Sequence, residues 1–315
     1  MPLHIETPLI VSRPLSLRTG KQVWLKLDAL QPPGSFKLRG IGLACETQAA
    51  RGKRRFVSSS GGNAGIAVAY AGRELGIPVT VVVPETTTAH ARHLIAQEGA
   101  TLVVHGASWQ EANAQAQSLL DADTAFIHPF DDPLLWTGHA TLIDEAVRSG
   151  ARFDAVVVAV GGGGLMSGVI EGLRRNGLGR LPVVTVETHG ADSLAQAVRA
   201  GERVTLDAIR SVATSLGAKQ VCEQAFALAR SHDVRCHVVT DGAALDACAK
   251  FLEDHRLLVE PACGAALAAA YEADAPALAG IEAPLIVVCG GATATLDQLA
   301  AWRAALPPAA CPATP

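Results

Sequence analysis

The chain has 315 residues, 49% hydrophobic and 18% charged, with a formal charge of -4. That length supports a large core and two domains, the charge gives no basic footprint for nucleic acid, and no apolar run reaches the roughly 20 residues of a membrane span. The opening MPLHIETPLI lacks the basic n-region of a signal peptide, and seven cysteines, at 45, 222, 236, 248, 263, 289 and 311, form no C-x-x-C pair, which points to reduced thiols in a cytoplasmic protein.

In chain order, QVWLKL (22–27) reads as a strand and PPGSFKLRG (32–40) as a turn into a helix, with Ser35 as N-cap and Lys37 in the first helical turn. The helix dipole disfavours an ammonium there. Lys37 is therefore either a solvated surface charge or an amine meant to be neutral and reactive. RRFVSS (54–59), VTVVVP (79–84), ATLVVH (100–105) and TAFIH (124–128) read as strands, separated by helices over 64–76, 88–99 and 109–122. DPLLWTGHATLIDEAVRSG (132–150) reads as a long helix connecting two groups of strands, with Asp131 and Asp132 as candidate caps. Then come FDAVVVAV (153–160), PVVTVE (182–187), RCHVVT (235–240) and APLIVVC (283–289). Val-rich strands alternating with helices give an α/β protein with parallel sheet. The tail PPAACPATP (307–315) is expected to be disordered.

Two loops carry chemistry. In FDAVVVAVGGGGLMSGVIEGL (153–173) a strand runs through Gly161, Gly162, Gly163 and Gly164 into a helix. Bare backbone N–H groups and a helix N-terminus suit a phosphate. A tight turn for strand–helix packing would account for one or two of these glycines. A dinucleotide fingerprint is excluded, since G-x-G-x-x-G would need glycine at Met166 or Ser167, and no P-loop Lys-Ser or Lys-Thr follows. In FVSSSGGNAGIAVAYAG (56–72), Ser58 to Ser60 and Gly61, Gly62 and Asn63 precede a helix, a polar cap or a pocket sized for a carboxylate. With both loops present, an activated Lys37 could form an imine with an aldehyde cofactor. His90 and His93 stand at i, i+3 without a further ligand pattern, so no metal centre is expected there. His128 and His139 read as ordinary interface or loop histidines, and no G-x-S-x-G elbow occurs.

PPGSFKLRG, SSSGGNAG, PFDDPLLWTGHA, VGGGGLMSGV, VETHGADS, SVATSLG, LLVEPACGAALAA and VVCGGA, in this order and spacing, resemble the catabolic L-serine/L-threonine dehydratases. These are pyridoxal-phosphate enzymes of the tryptophan-synthase-β-like fold, type II. The resemblance covers essentially the whole chain. It implies two open, mostly parallel twisted sheets with flanking helices: a large cofactor domain from 1–34 and 136–315, and a smaller inserted domain at 35–135. It makes Lys37 the Schiff-base lysine and general base. Phe36 would pack on the pyridine ring, Asn63 would bind the ring hydroxyl, and Gly161, Gly162, Gly163, Gly164 and Leu165 would bind the phosphate. Cys289 would face the pyridine nitrogen, where a thiol does not stabilise a pyridinium as an aspartate would. Ser59, Ser60, Gly62, Asn63 and Ala64 would hold the substrate carboxylate.

The implied reaction removes water from L-serine or L-threonine, giving pyruvate or 2-oxobutanoate and ammonia, in a catabolic role. Related serine racemases carry a serine at the Gly61 position, and glycine has no proton to give. Glu187, Ala191 and Ser193, with Gly161, Leu216 and Ala218, match the family's cation site. A neutral serine where racemases use aspartate favours K⁺ over a divalent ion, with Asp192 a neighbouring charge. Ala292 and Thr293 depart from the Ser and Asn of relatives. A homodimer is also implied. The alternatives are a racemase or a β-replacement enzyme of the same fold, exposed by D-serine or by sulfide-dependent product. A non-catalytic phosphate-ligand binding module is the third, and it would leave the pure protein colourless.

Overall fold

Local side-chain chemistry sets where many of the helices begin. Ser12, Thr88, Ser108, Asp132, Thr240 and Thr295 each accept a hydrogen bond from a first-turn backbone N–H, satisfying a donor that the helix itself leaves open. In the computed structural model, which describes residues 1–306, the chain runs β1 (Leu9–Val11), α1 (Arg13–Thr19), β2 (Trp24–Lys26), α2 (Lys37–Ala50), β3 (Arg55–Ser58), α3 (Asn63–Leu75), β4 (Val79–Val83) and α4 (Ala89–Gln97). It continues through β5 (Thr101–Val104), α5 (Trp109–Ser118), β6 (Thr124–Phe126), α6 (Pro133–Arg148), β7 (Ala155–Ala159), α7 (Gly164–Arg175), β8 (Val183–Thr188) and α8 (Ser193–Ala200). The last elements are α9 (Glu223–Ser231), β9 (Val234–Val239), α10 (Asp241–His255), α11 (Pro261–Tyr271), β10 (Pro284–Val287) and α12 (Leu296–Ala305). The tail expected to be disordered, 307–315, lies outside the described residues.

Two sheets result. The larger has the order β1-β2-β10-β7-β8-β9 and the smaller β5-β4-β3-β6. Every described pairing is parallel except the edge pair β1–β2. The central strands β7 and β8 are buried along their whole length, which explains why they read as unbroken valine runs rather than alternating ones. α11 is buried at every position, so its Ala- and Gly-rich sequence lets neighbouring elements approach closely.

Three details differ from expectation. β1 is a three-residue edge strand with two of its residues exposed, too short and too wet to show a strand pattern. α5 ends at Ser118 rather than 122, because Asp121 Oδ1 accepts from Asp123 N and Thr124 Oγ1 and closes a turn instead. Ser35 is not the N-cap of α2. Its backbone pairs with Gly290 just beyond the end of β10, Phe36 takes the cap position without any side-chain bond, and the buried Ser35 hydroxyl has no partner among the described residues. The first-turn position of Lys37 holds.

Candidate active site

The pairing that displaces Ser35 also sets the address of Lys37. Phe36 N donates to Cys289 O at 3.0 Å and Gly291 N to Gly34 O at 2.8 Å, so the start of α2 is fixed to the end of β10. Two residues on, the fully buried Arg39 anchors the same helix. Its guanidinium reaches Asp28 Oδ2 (2.7 Å), Glu145 Oε1 (2.6 Å), Thr141 Oγ1 (2.9 Å) and Thr7 Oγ1 (3.1 Å), and Lys26 also contacts Glu145. Lys37 Nζ donates to Pro129 O at 2.6 Å and lies 5.1 Å from the centre of the Phe36 ring. Desolvation pushes its amine down to about 8, against the opposing pull of Glu260. A lowered amine of this kind favours the reactive reading of Lys37 over a solvated charge.

The glycine loop adjoins this lysine through Phe130. A Cβ at Gly162 would fall 2.3 Å from the Phe130 ring, and one at Gly164 would fall 2.6 Å from Phe130 O. Gly163 has φ +93° and would collide with Ala225, and Gly161 is pressed against Leu216. Packing thus requires all four glycines, more than the one or two a tight turn was expected to explain. The anion reading rests instead on donors: from Gly161 to Leu165 no backbone N–H meets an acceptor among the described residues, although Gly163, Gly164 and Leu165 are buried. Buried donors of this kind are rare unless something binds them. The residues therefore fit a phosphate.

The second loop ends at Asn63, first residue of α3, whose N-terminus also lacks a side-chain cap. Asn63 Oδ1 accepts from Ala292 N at 2.9 Å, and its Nδ2 donates to Glu260 Oε1 at 2.7 Å, with Ser215 Oγ at 3.4 Å. Ser60 Oγ accepts from Gly62 N. Ser59 is different: its hydroxyl donates to Asn113 Oδ1 on α5 at 2.8 Å, so that proton is committed inside the smaller-sheet unit. A side chain at Gly61 would meet Thr87 Oγ1 at 2.4 Å.

The expected cofactor residues close a circuit of contacts. Lys37 touches Pro129, Phe130 covers Gly162 and Gly164, Gly161 adjoins Ser215 and Leu216, Ser215 approaches Asn63, Asn63 holds Ala292, and Cys289 returns to Phe36. Behind Phe36 stands the buried His139, ring centres 4.9 Å apart. Its two nitrogens have no described partner, and burial, with Lys37, Arg39 and His4 nearby, holds it well below the ordinary histidine range. Cys289 is held well above the usual thiol range by its contact with Cys263 and by burial, so it presents a neutral S–H.

Glu187, Ala191 and Ser193 form a separate cluster under α8. Glu187 Oε1 accepts from Leu194 N (2.8 Å) and Oε2 from Ala195 N (2.7 Å), and burial pushes its carboxyl up to about 8. Ser193 Oγ is buried without a described partner, while Asp192 accepts from Gln196. Gly161 lies against Leu216, and Ala218 N donates to Leu216 O at 2.8 Å. Among the described residues no three His, Cys, Asp or Glu side chains are grouped as a metal site. Asp132 caps α6, and His128 Nδ1 accepts from Phe130 N and Asp131 N, which shapes the loop that carries Phe130. A cavity of about 580 Å³ between α4 and α12 borders the circuit at Gly291 and Ala292.

Phe130, Arg39 and Glu260 had no expected role. Glu260 had a legible signal, an acid opening a helix that is otherwise wholly apolar; such a charge must find partners.

The chain matches the family described as pyridoxal-phosphate dependent enzyme over residues 1–290. It is 46% identical over 312 residues to the L-serine dehydratase/L-threonine deaminase of Bos taurus, covering 96% of this chain and 95% of that protein. A fungal L-serine ammonia-lyase from Rhizomucor miehei has a similar structure, with a TM-score of 0.91 at 34% identity over 97% of this chain and 99% of that one. Maize serine racemase follows at a TM-score of 0.86 and 26% identity, over 96% and 92% of the two chains.

Proposed function

The chain belongs to the family of pyridoxal-phosphate dependent enzymes, and from that premise we propose that it is an ammonia-lyase removing water from L-serine and L-threonine. The products are pyruvate or 2-oxobutanoate, with ammonia. The observation that carries this reading is the closed circuit in which a half-buried, desolvated amine near pKa 8 adjoins a loop of unpaired backbone donors.

When bound, pyridoxal phosphate supplies an aldehyde for the substrate amine and a ring that withdraws electrons from its Cα–H bond. Gly161 to Leu165 would bind the phosphate through their N–H groups. Phe36 would flank the ring, and Asn63 would donate to the ring hydroxyl. Cys289 keeps its proton, so the ring nitrogen gains no anionic partner. That suits a brief elimination better than chemistry needing a long-lived carbanion. Lys37 Nζ takes the Cα proton, and a lowered pKa lets it do so near neutral pH. The carboxylate binds the Ser60 hydroxyl and the backbone of Gly62, Asn63 and Ala64, with Ser59 contributing only if it releases Asn113. Gly61 brings no proton to the opposite face, and Thr87 fills the space beside it, which disfavours racemisation.

The two sheets support a division into a large domain (1–34 and 136–315) and a small one (35–135). Glu187 with Ser193, Ala191, Gly161, Leu216 and Ala218 is the proposed K⁺ site; one carboxylate and neutral oxygens suit a monovalent ion. A homodimer and a cytoplasmic location complete the reading, and no helix among the described residues is long and apolar enough to cross a membrane. The test is keto-acid release from L-serine in K⁺ buffer. The native protein should release it and Lys37→Ala should not; a yellow native protein that releases none would refute the dehydratase assignment.

A further inference from the structure

We propose that Glu260 is a positioning residue that aims the Asn63 side chain at the cofactor ring, so that cofactor affinity depends on a carboxylate to which the sequence assigns no role. The inference rests on the reading of Asn63 as the ligand of the ring hydroxyl. Asn63 opens α3 beside the smaller sheet, whereas Glu260 immediately precedes α11 beside the larger one. Asn63 Nδ2 donates to Glu260 Oε1 at 2.7 Å while its Oδ1 accepts from Ala292 N at 2.9 Å. An amide held this way has one orientation, because a flip would set N–H against N–H and oxygen against oxygen. The other N–H of Asn63 is held only by a long bond to Ser215 Oγ at 3.4 Å, weak enough to be exchanged for one to the ring oxygen.

Glu260 is itself held in place. Its Oε2 accepts from Thr293 Oγ1 at 2.7 Å, and the residue is 4% exposed. Thr293, which departs from relatives, thus supplies a hydrogen bond rather than losing one. Gly291 has φ +117°, and a Cβ there would lie 2.0 Å from Glu260 Cδ, so only glycine admits the carboxylate at this spot. Glu260 occupies the N-cap position of α11 yet makes no side-chain bond to that helix. A purely local capping role would turn it toward its own N-terminus; instead both oxygens reach toward the circuit around Lys37.

The experiment titrates the full-length chain, stripped of cofactor, with pyridoxal 5'-phosphate, following protein fluorescence and the absorbance of bound cofactor. Asn63→Ala and Glu260→Ala should each raise Kd about tenfold, and the double variant should bind within about twofold of Asn63→Ala alone, since residues acting through one another are not additive. Glu260→Gln should recover most of the affinity: its amide oxygen still accepts from Asn63 and its nitrogen donates to Thr293. Losses that multiply in the double variant would overturn the inference, as would a Glu260→Ala protein binding within twofold of wild type while Asn63→Ala is weakened. Asn63→Ala binding as tightly as wild type would overturn both this inference and the reading of Asn63. If Glu260→Ala does not fold, Thr293→Val carries the same comparison. A Kd raised about threefold that disappears in the Asn63→Ala background is expected, and an unchanged Kd, or an equal rise in both backgrounds, refutes it.

Discussion

Lys37 has chemistry that follows from burial rather than from its neighbours' charge. Glu260 favours its protonated form, and desolvation outweighs it to leave the amine near 8. At pH 7 roughly a tenth of such an amine is neutral, against roughly one part in 3,000 for an ordinary lysine. Only the neutral amine attacks an aldehyde. Cofactor capture by the stripped protein should therefore accelerate with pH and level off above about 8, and Lys37→Ala should show no such phase. Stopped-flow absorbance across pH 6 to 10 measures this; a rate still climbing tenfold per pH unit at pH 9.5 would mean that Lys37 titrates like a surface lysine. The candidate site was legible at this scale where a residue was out of character for its place: a lysine at a positive helix end, four glycines after a buried strand. The pairing of Glu260 was not, because its partner Asn63 is 197 positions away and only the fold brings them together. The Ser59 hydroxyl went unread for the same reason, since nothing local points it at Asn113.

At the scale of elements, some helices start on side-chain caps and others do not, the latter including α8, α9 and α11. α4, α5, α6, α10 and α12 have Ser, Thr or Asp caps, and those starts are readable from sequence. α2, α3 and α7 lack side-chain caps, and their open N-termini meet around Lys37. α2 is held instead by Arg39, which joins it to α6 through Glu145 and to the segment after β2 through Asp28. Removing one partner of such a buried set leaves uncompensated charge, which costs about 3–5 kcal/mol. Arg39→Ala should lose stability on that order in urea unfolding. Cofactor binding should weaken with it, since the first turn of α2 places Lys37. A variant unfolding within 1 kcal/mol of wild type would show that Asp28 and Glu145 find other partners. The central strands β7 and β8 were legible because burial along their whole length makes them mostly apolar runs. β1 was not, because an exposed three-residue edge has no such pattern.

For the molecule as a whole, the reacting circuit lies where elements of the two sheets meet, and α6 carries His139 into that seam between α2 and α7. A side chain at Gly40 would strike His139 Cε1 at 2.7 Å, and one at Gly168 would strike its Cβ at 2.5 Å, so the ring is enclosed on both sides. Lys37, Arg39 and His4 add positive charge around it, and with burial they keep it neutral far below the ordinary pKa of 6.5. A histidine lowered in the folded state binds its proton only on unfolding. Below pH 6.5 the unfolded chain then holds more protons, and stability falls as pH falls. One such group contributes a loss of roughly 1 kcal/mol between pH 7 and 5.5. Glu187, raised to about 8 by burial, works in the opposite sense across this range, so the wild-type profile alone does not isolate the histidine. The difference between wild type and His139→Leu does. Leucine is close in volume and has no proton to gain, so the variant should lose roughly 1 kcal/mol less than wild type on acidification from pH 7 to 5.5. Urea midpoints at the two pH values decide it: parallel losses in both proteins would place the acid sensitivity away from His139, in the other histidines that burial lowers, at 4, 128, 232 and 255.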